Sequence, residues 1–369
     1  MTTLDRYILR GLVFNYVIAI AVMTSLYVVL DLFFNMDEFT EKAVPATEVA
    51  LDIASFYGNR VFLYFAQLSG IITLFACLIT LARMRRMNEL TAMLASGISL
   101  YRVAAPVVAF AVFTTALWYV DTEVVIPSIA HKLARRHDDA RGTKTYGVWF
   151  LDDRDEALLS AQQFLPSEDV LKRMLVMKRD ASGDVQSVIE AEIAHWEPAV
   201  EDEHTGRWKL ERGIERRRME DAGDIMAPGA DMERSLVSYY ESELDPRAIE
   251  MRQSAGWIRY LSSARLNQLS KQVDTRMLRQ VLQAKHARFT TPLVSLVMLL
   301  LGLPFILDRV PGSILTGSVG CMVICGACFL LHFITQNLGI TDSLSALPAW
   351  LPIIIFTPVA VVLMDRMRT

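Results

Sequence analysis

Apolar residues gather into six long runs, at about 12–34, 61–82, 103–125, 289–307, 314–338 and 347–364 of the 369-residue chain. Each is near the length that crosses a hydrocarbon core of about 30 Å at about 1.5 Å per residue. Three precede and three follow a polar insert, so the pattern predicts a membrane α-helical protein with six transmembrane helices in a 3+3 layout. The first run is too long for a signal-peptide core and is followed by acidic residues rather than a small-residue cleavage pattern, so it reads as an uncleaved anchor.

Within the insert the period changes. A charged, helical opening at 132–141 gives way to short alternating runs at 148–151, 158–164, 174–178, 185–189, 207–210 and 236–240, with turn residues at 180–184 and 204–206. Such spacing predicts an external all-β, jelly-roll-like domain. Trp149, Trp196 and Trp208 fit either a ligand groove or, as aromatic residues in half-buried strands more often do, its core. Helical periodicity returns at 258–286. The division is therefore 1–127 for helices one to three, 128–258 for the β domain, 259–288 for a basic connecting helix and 289–369 for helices four to six.

Composition agrees with a mixture of spanning and water-facing parts: 53% hydrophobic, 21% charged and a mean hydropathy of +0.31. The net charge of −4 says little, because charge in a membrane protein acts locally. Arg6, Arg10, Arg83, Arg85, Arg86, Arg102, Arg309, Arg366 and Arg368 lie beside one set of short connections, and only Lys42 and Arg60 beside the other. Basic residues near span ends resist translocation, so both termini are expected in the cytoplasm and the insert outside. All four cysteines fall inside apolar runs, which leaves the β domain without disulfides.

Four sets of polar residues are candidates for function. The loop between the second and third runs predicts a short amphipathic helix from about Asn88 to Gly97. It has Glu89 in the first turn, where a carboxylate complements the helix dipole, and Gly97 as its C-terminal cap. Its apolar face, Leu90, Met93 and Leu94, suits either packing or insertion into a partner's groove. The basic segment carries seven Lys or Arg against the single acid Asp274. Arg276, Arg279, Lys285 and Arg288, together with Lys42 beyond the first run, are thus candidates for lipid phosphates, with a solvated helical face as the alternative for the segment.

Cys321, Cys325, Cys328 and His332 recur at steps of four, three and four in the fifth run, continued by Gln336. A soft-metal site needs a paired cluster that the chain lacks. A small, weakly polar stripe packing against another helix, eased by Gly317, Gly320 and Gly326, is the expected reading. Asp31, Asp121 and Glu123 lie near outer span ends, where interfacial placement is the default. Prolines 292, 304, 348, 352 and 358 predict bent fourth and sixth helices. The chain contains no phosphate loop, no His-Glu-x-x-His and no Gly-x-Ser-x-Gly, so an energy source must come from a partner.

The order of several motifs resembles the lipopolysaccharide-export permeases, the LptF/LptG (YjgP/YjgQ) family, over the whole chain. They are Leu4-Asp5-Arg6-Tyr7-Ile8, the 86–97 stretch with Glu89-Leu90 and Ala95-Ser96-Gly97, Trp196-Glu197-Pro198 before Trp208-Lys209-Leu210, and His286-Ala287-Arg288 leading to Pro292. The opening resembles the LptG branch of the family more than the LptF branch. The resemblance implies a non-catalytic ABC-transporter subunit of the bacterial inner membrane, with no cofactor and no nucleic acid. Its partners would be a cytoplasmic ATPase dimer, a paralogous or identical permease subunit and a periplasmic lipid-accepting β-jellyroll protein.

Arg86, Glu89, Leu90, Met93, Leu94 and Gly97 would then meet the ATPase, and membrane lipid and a glycolipid substrate would occupy a cavity. Asp31 on the first span, and Gly317, Cys321, Cys325, Cys328, His332 and Gln336 on the fifth, would line gates or that cavity. One departure stands out: Asp37, Glu38, Glu41, Glu48 and Asp52 outnumber Lys42 at the outer rim. An acidic rim repels phosphate, so either the basic segment takes over head-group binding or the substrate is not standard lipopolysaccharide. A receptor with an external ligand-binding β domain is the rival reading. A secondary transporter is disfavoured by the lack of an internal repeat.

Overall fold

A computed structural model of the chain describes residues 3–40, 45–135, 139, 142–180, 183–198, 206–218, 232–252, 254, 256–271, 275–307, 314–337 and 347–365. It divides into two compact units: Met1–Met36, Tyr57–Ile129 and Ile258–Thr369 form the first, and Asp37–Phe56 with Ala130–Trp257 the second.

The first unit is helical. Long helices α1 (Thr3–Thr40), α2 (Ala46–Arg86), α4 (Leu100–Val120), α9 (Thr275–Ile306), α10 (Ile314–Asn337) and α11 (Leu347–Asp365) follow the six apolar runs, with short α3 (Glu89–Ala95) between α2 and α4. All six are long and apolar enough to cross a membrane. Ile8, Leu12 and Tyr16 of α1, Ile72 and Leu81 of α2 and Val103 and Val107 of α4 join Leu303 of α9 in one buried cluster. A second cluster closes α9 against α10 and α11 through Met298, Leu301, Cys325 and Ala360.

Two stretches differ from expectation. The 258–286 segment is not one helix: it comprises a 3₁₀ turn (Trp257–Tyr260), α8 (Ser263–Leu269) and the first turns of α9. Ser262 breaks it by capping α8, accepting from the Arg265 amide. The third span does not end as plain α-helix either. It passes through a π-turn, Asp121–Val125, into α5 (Ile126–Ser128).

The second unit holds α6 (Ala130–Leu133), α7 (Pro246–Arg252) and one antiparallel sheet. Its strands are β1 (Tyr146–Asp152), β2 (Leu158–Leu165), β3 (Val170–Arg179), β4 (Val185–Pro198), β5 (Gly206–Glu211), β6 (Ile214–Arg218), β7 (Met232–Leu236) and β8 (Tyr239–Ser242). The order is β1-β2-β3-β4-β5-β8, with β6 pairing β4 and β7. Long β4 serves two partners, β6 along 187–190 and β5 along 193–198. Its core is built from Phe164, Leu171, Met174, Ile189 and Trp208.

The expected strand at 236–240 is two strands separated at Val237, whose amide bonds the Gly213 carbonyl instead of a ladder. β6 has no apolar alternation to betray it. It is held by charge, with Arg216 on Glu190 at 2.8 Å and Glu215 accepting from Ser187 at 2.8 Å. Of the three tryptophans, Trp208 is fully buried and donates to the Leu244 carbonyl at 3.2 Å. Trp196 packs edge-on against it at 5.1 Å, whereas Trp149 is 68% exposed.

Candidate functional site

Helix α3 forms because the chain offers both of its ends. Asn88 takes a left-handed conformation before Glu89, and Gly97, at φ +86°, lets its own amide reach Leu94 and that of Ile98 reach Met93. Leu90 is buried, and Met93, Leu94 and Ile98 pack on the same core. The apolar face that sequence offered to a partner is thus turned inward, because the transmembrane core is the nearest apolar surface. Arg86, Met87, Thr91, Ala92, Ala95, Ser96 and Gly97 stay exposed.

The first turn of α1 grips this loop twice. Tyr7 shares its hydroxyl proton between the two carboxylate oxygens of Glu89, each at 2.9 Å. Asp5, itself buried, pairs with Arg102 at 3.0 Å, in the first turn of α4. Arg85 adds a bond to the Ile306 carbonyl at the end of α9, at 3.4 Å. These links join residues remote in sequence, so no local pattern announces them. The Asp5 and Tyr7 positions were visible only as part of a motif.

Towards the other end of α1, Asp31 accepts from Tyr57 at 2.9 Å and Tyr64 at 3.3 Å, both on α2. Asn35, bonded to the Asp31 carbonyl at 2.8 Å, breaks the helical backbone there with φ −119°. Of the head-group candidates, Lys42 and the side chain of Arg276 lie outside the described residues. Arg279 and Lys285 are half-buried on α9.

Arg288 is committed elsewhere, which corrects its assignment to lipid. It is 8% exposed and donates to the carbonyls of Thr122 at 2.7 Å, Arg259 at 2.9 Å and Leu261 at 2.7 Å. The cause lies in the π-turn. There the Ile126 amide bonds the Asp121 carbonyl five residues back, and the Thr122 carbonyl would next need the amide of residue 127. That residue is proline and has no N–H, so the guanidinium supplies the donor. Glu123, 4.0 Å from Arg288, accepts from the Ser263 amide at 2.9 Å and hydroxyl at 2.5 Å. Neither Glu123 nor Asp121 is open to water as expected: Glu123 is 14% exposed and Asp121 6%, and among the described residues neither of Asp121's carboxylate oxygens has a hydrogen-bond partner.

The stripe on α10 faces α9 of the same chain. Cys321, Cys325 and Cys328 are buried, the Cys325 thiol bonds the Met298 carbonyl at 3.4 Å, and Gly302 leaves the thiols room. Gln336 donates to Thr291 at 2.9 Å and lies 3.1 Å from His332. Gln283 of α9 bonds the last carbonyls of α10, those of Thr335 and Gln336. The thiols are therefore buried in the apolar cluster that closes α10 on α9. Gly317 lies in the first turn of α10. Among the described residues no three His, Cys, Asp or Glu side chains gather to hold a metal ion.

Six apolar spans carrying an antiparallel β domain between the third and fourth define a multi-pass permease-type membrane protein. The chain belongs to the lipopolysaccharide export system permease LptF/LptG family, whose sequence model matches residues 6–366. No curated protein matches it. The family indicates a lipopolysaccharide export permease of the inner membrane.

Proposed function

We propose that the chain is the membrane subunit of an ABC transporter, paired with a second permease and driven by a cytoplasmic ATPase dimer. In this reading it draws a lipopolysaccharide-type glycolipid from the outer leaflet of the inner membrane. It then passes the glycolipid through its periplasmic β domain to a β-jellyroll acceptor. The arginine-rich connections support placing α3 and both termini in the cytoplasm.

The observation that carries the reading is the contact of Tyr7 with Glu89. A push on Glu89 by the ATPase reaches the first span directly, and because Leu90 is buried in the core, α3 cannot move alone. Because Arg288 is bonded to three carbonyls, head-group phosphates are assigned to the other basic candidates, Lys42, Arg276, Arg279 and Lys285.

Glu89→Lys tests the coupling. It should abolish copurification of the ATPase and export of glycolipid while leaving the chain folded, since Glu89 is only half-buried. Wild-type ATPase association and export in that variant would sink the assignment. Isolation of the wild-type chain without a stoichiometric ATPase would favour the receptor reading instead.

A further inference from the structure

The β unit holds a cavity of about 390 Å³ beside its edge strand β1, at a size typical of small-molecule sites. Its chemistry is mixed. Among the described residues, Arg135, Lys144 and Arg252 line it together with Asp139 and Glu250, one positive charge in excess. Arg135 pairs with Glu250 at 3.5 Å. Arg252 is held by the Asp152 carbonyl at 2.5 Å and lies over the Trp257 ring at 5.2 Å, so the basic wall is fixed in place.

Tyr146 packs edge-on against core Phe164 at 5.5 Å. Among the described residues its buried hydroxyl has no hydrogen-bond partner. Burial, with Glu250 and Asp139 nearby, pushes that hydroxyl up from its ordinary value, so it stays a neutral donor. A buried donor without an acceptor is an unfinished network.

The rim is aromatic by construction. β1 slips register twice, between Tyr146 and Val148 and between Val148 and Leu151, and Phe150 sits at φ 48°. Bulges re-aim side chains, and here Trp149 and Phe150 are 68% and 52% exposed. Trp149 folds back over Gly147, where a Cβ would lie 2.9 Å from the indole nitrogen. The glycine makes the ring's placement possible.

A flat exposed indole suits the apolar face of a sugar ring. Interleaved donors and acceptors suit its hydroxyls, and the excess positive charge suits an acid group. We propose that this cavity binds an acidic saccharide, its ring on Trp149 and its carboxylate or phosphate towards Lys144 and Arg252. The inference stands on the cavity; only the sugar's source, a glycolipid head group or a free saccharide, touches the export reading.

The full chain in nanodiscs, titrated with glucuronate and glucose 6-phosphate and followed by saturation-transfer NMR, tests it. Both acids should bind, and glucose should bind at least about tenfold more weakly. Trp149→Ala and Lys144→Glu, both at exposed positions, should each weaken the acids by about tenfold, roughly 1.4 kcal/mol, without lowering the melting midpoint. Glucose binding as tightly as glucuronate, inorganic phosphate matching glucose 6-phosphate, or Trp149→Ala without effect would overturn the proposal. So would no binding at all. Competition of glucuronate by purified lipopolysaccharide identifies the head group as the source, and failure to compete assigns the site to a free saccharide. Because no ATPase or export enters the assay, its failure is separable from failure of the export reading.

Discussion

Arg288→Ala removes a guanidinium whose donors satisfy three main-chain carbonyls and whose charge faces Glu123. What it leaves behind sets the magnitude. The Thr122 carbonyl cannot fall back on Pro127, and the Arg259 and Leu261 carbonyls lose the donor that joins them to the third span. An unsatisfied buried polar group costs about 1–3 kcal/mol, and deleting one partner of a buried charge pair about 3–5 kcal/mol. Because these penalties overlap, about 4 kcal/mol is expected for Arg288→Ala, close to a thousandfold in the folding equilibrium. Arg288→Lys keeps the charge but loses the planar fork, and should cost about half as much. Glu123→Gln removes the charge across 4.0 Å but keeps an acceptor for Ser263, so a loss at the low end for a buried pair, about 3 kcal/mol, is expected. Equilibrium unfolding of the purified chain in mixed detergent–SDS micelles measures all three. Arg288→Ala within about 0.5 kcal/mol of wild type, or a lysine variant as damaged as the alanine variant, would refute the account of the π-turn.

Three other outcomes are expected. Tyr7→Phe deletes a single exposed hydrogen bond to a carboxylate, about 1 kcal/mol, and should lower the glycolipid exported per ATP hydrolysed about fivefold with ATPase binding retained; an unchanged ratio in proteoliposomes counts against coupling through the first span. Burial first, then Arg135, Arg247 and Lys132, push the His131 imidazole down to about 4 from 6.5 against the pull of Asp245. The unfolded chain therefore takes up the proton first, and stability present above pH 6.5 drains away as pH falls towards about 4. Asp169 and Glu250, raised by burial, act with the opposite sign above the normal carboxylate range. The clean measurement is the stability gap between wild type and His131→Gln, which should move against wild type from pH 7 to 4.5; a constant gap contradicts it. Gly70→Ala places a Cβ 2.6 Å from the Ser295 hydroxyl and should cost about 1–3 kcal/mol, partly recovered by Ser295→Ala in a double-mutant cycle.

The six spans were legible because twenty-odd apolar residues have one stable use in lipid, whatever their neighbours do. Helix extents were not. α2 starts at Ala46 and α9 at Thr275, well before their apolar runs. A cue was present: residues 275–289 contain neither glycine nor proline, so nothing stops the helix from running into the span. The β domain was legible where one face alternates, as in β5, and where an apolar run is bounded by turn residues, as in β2. β6, reading Ile214-Glu215-Arg216-Arg217-Arg218, was hidden because its pairing rests on cross-strand charge rather than on a buried face.

Site residues divide along the same line. Glu89 could be found from its place in a first turn ahead of Gly97, a local signal. Its partner Tyr7 lies 82 positions away, and Arg288 was read by its charge alone, although its fate is set by an amide that Pro127 lacks. The first span joins these two lessons. Its buried positions, Asp5, Ile8, Leu12, Asn15, Tyr16, Ala19 and Thr24, form a helical stripe that stops at Thr24, and from Ser25 to Met36 no residue is buried. The first half is packed into the core and pinned by Asp5 and by Asn15, which donates to Thr80 at 2.8 Å. In lipid an apolar flank gains little by leaving the acyl chains. The second half meets α2 through Asp31 with its two tyrosines and through Tyr27, whose ring lies 4.2 Å from that of Tyr64, so its attachment is polar and aromatic where that of the first half is a buried apolar core.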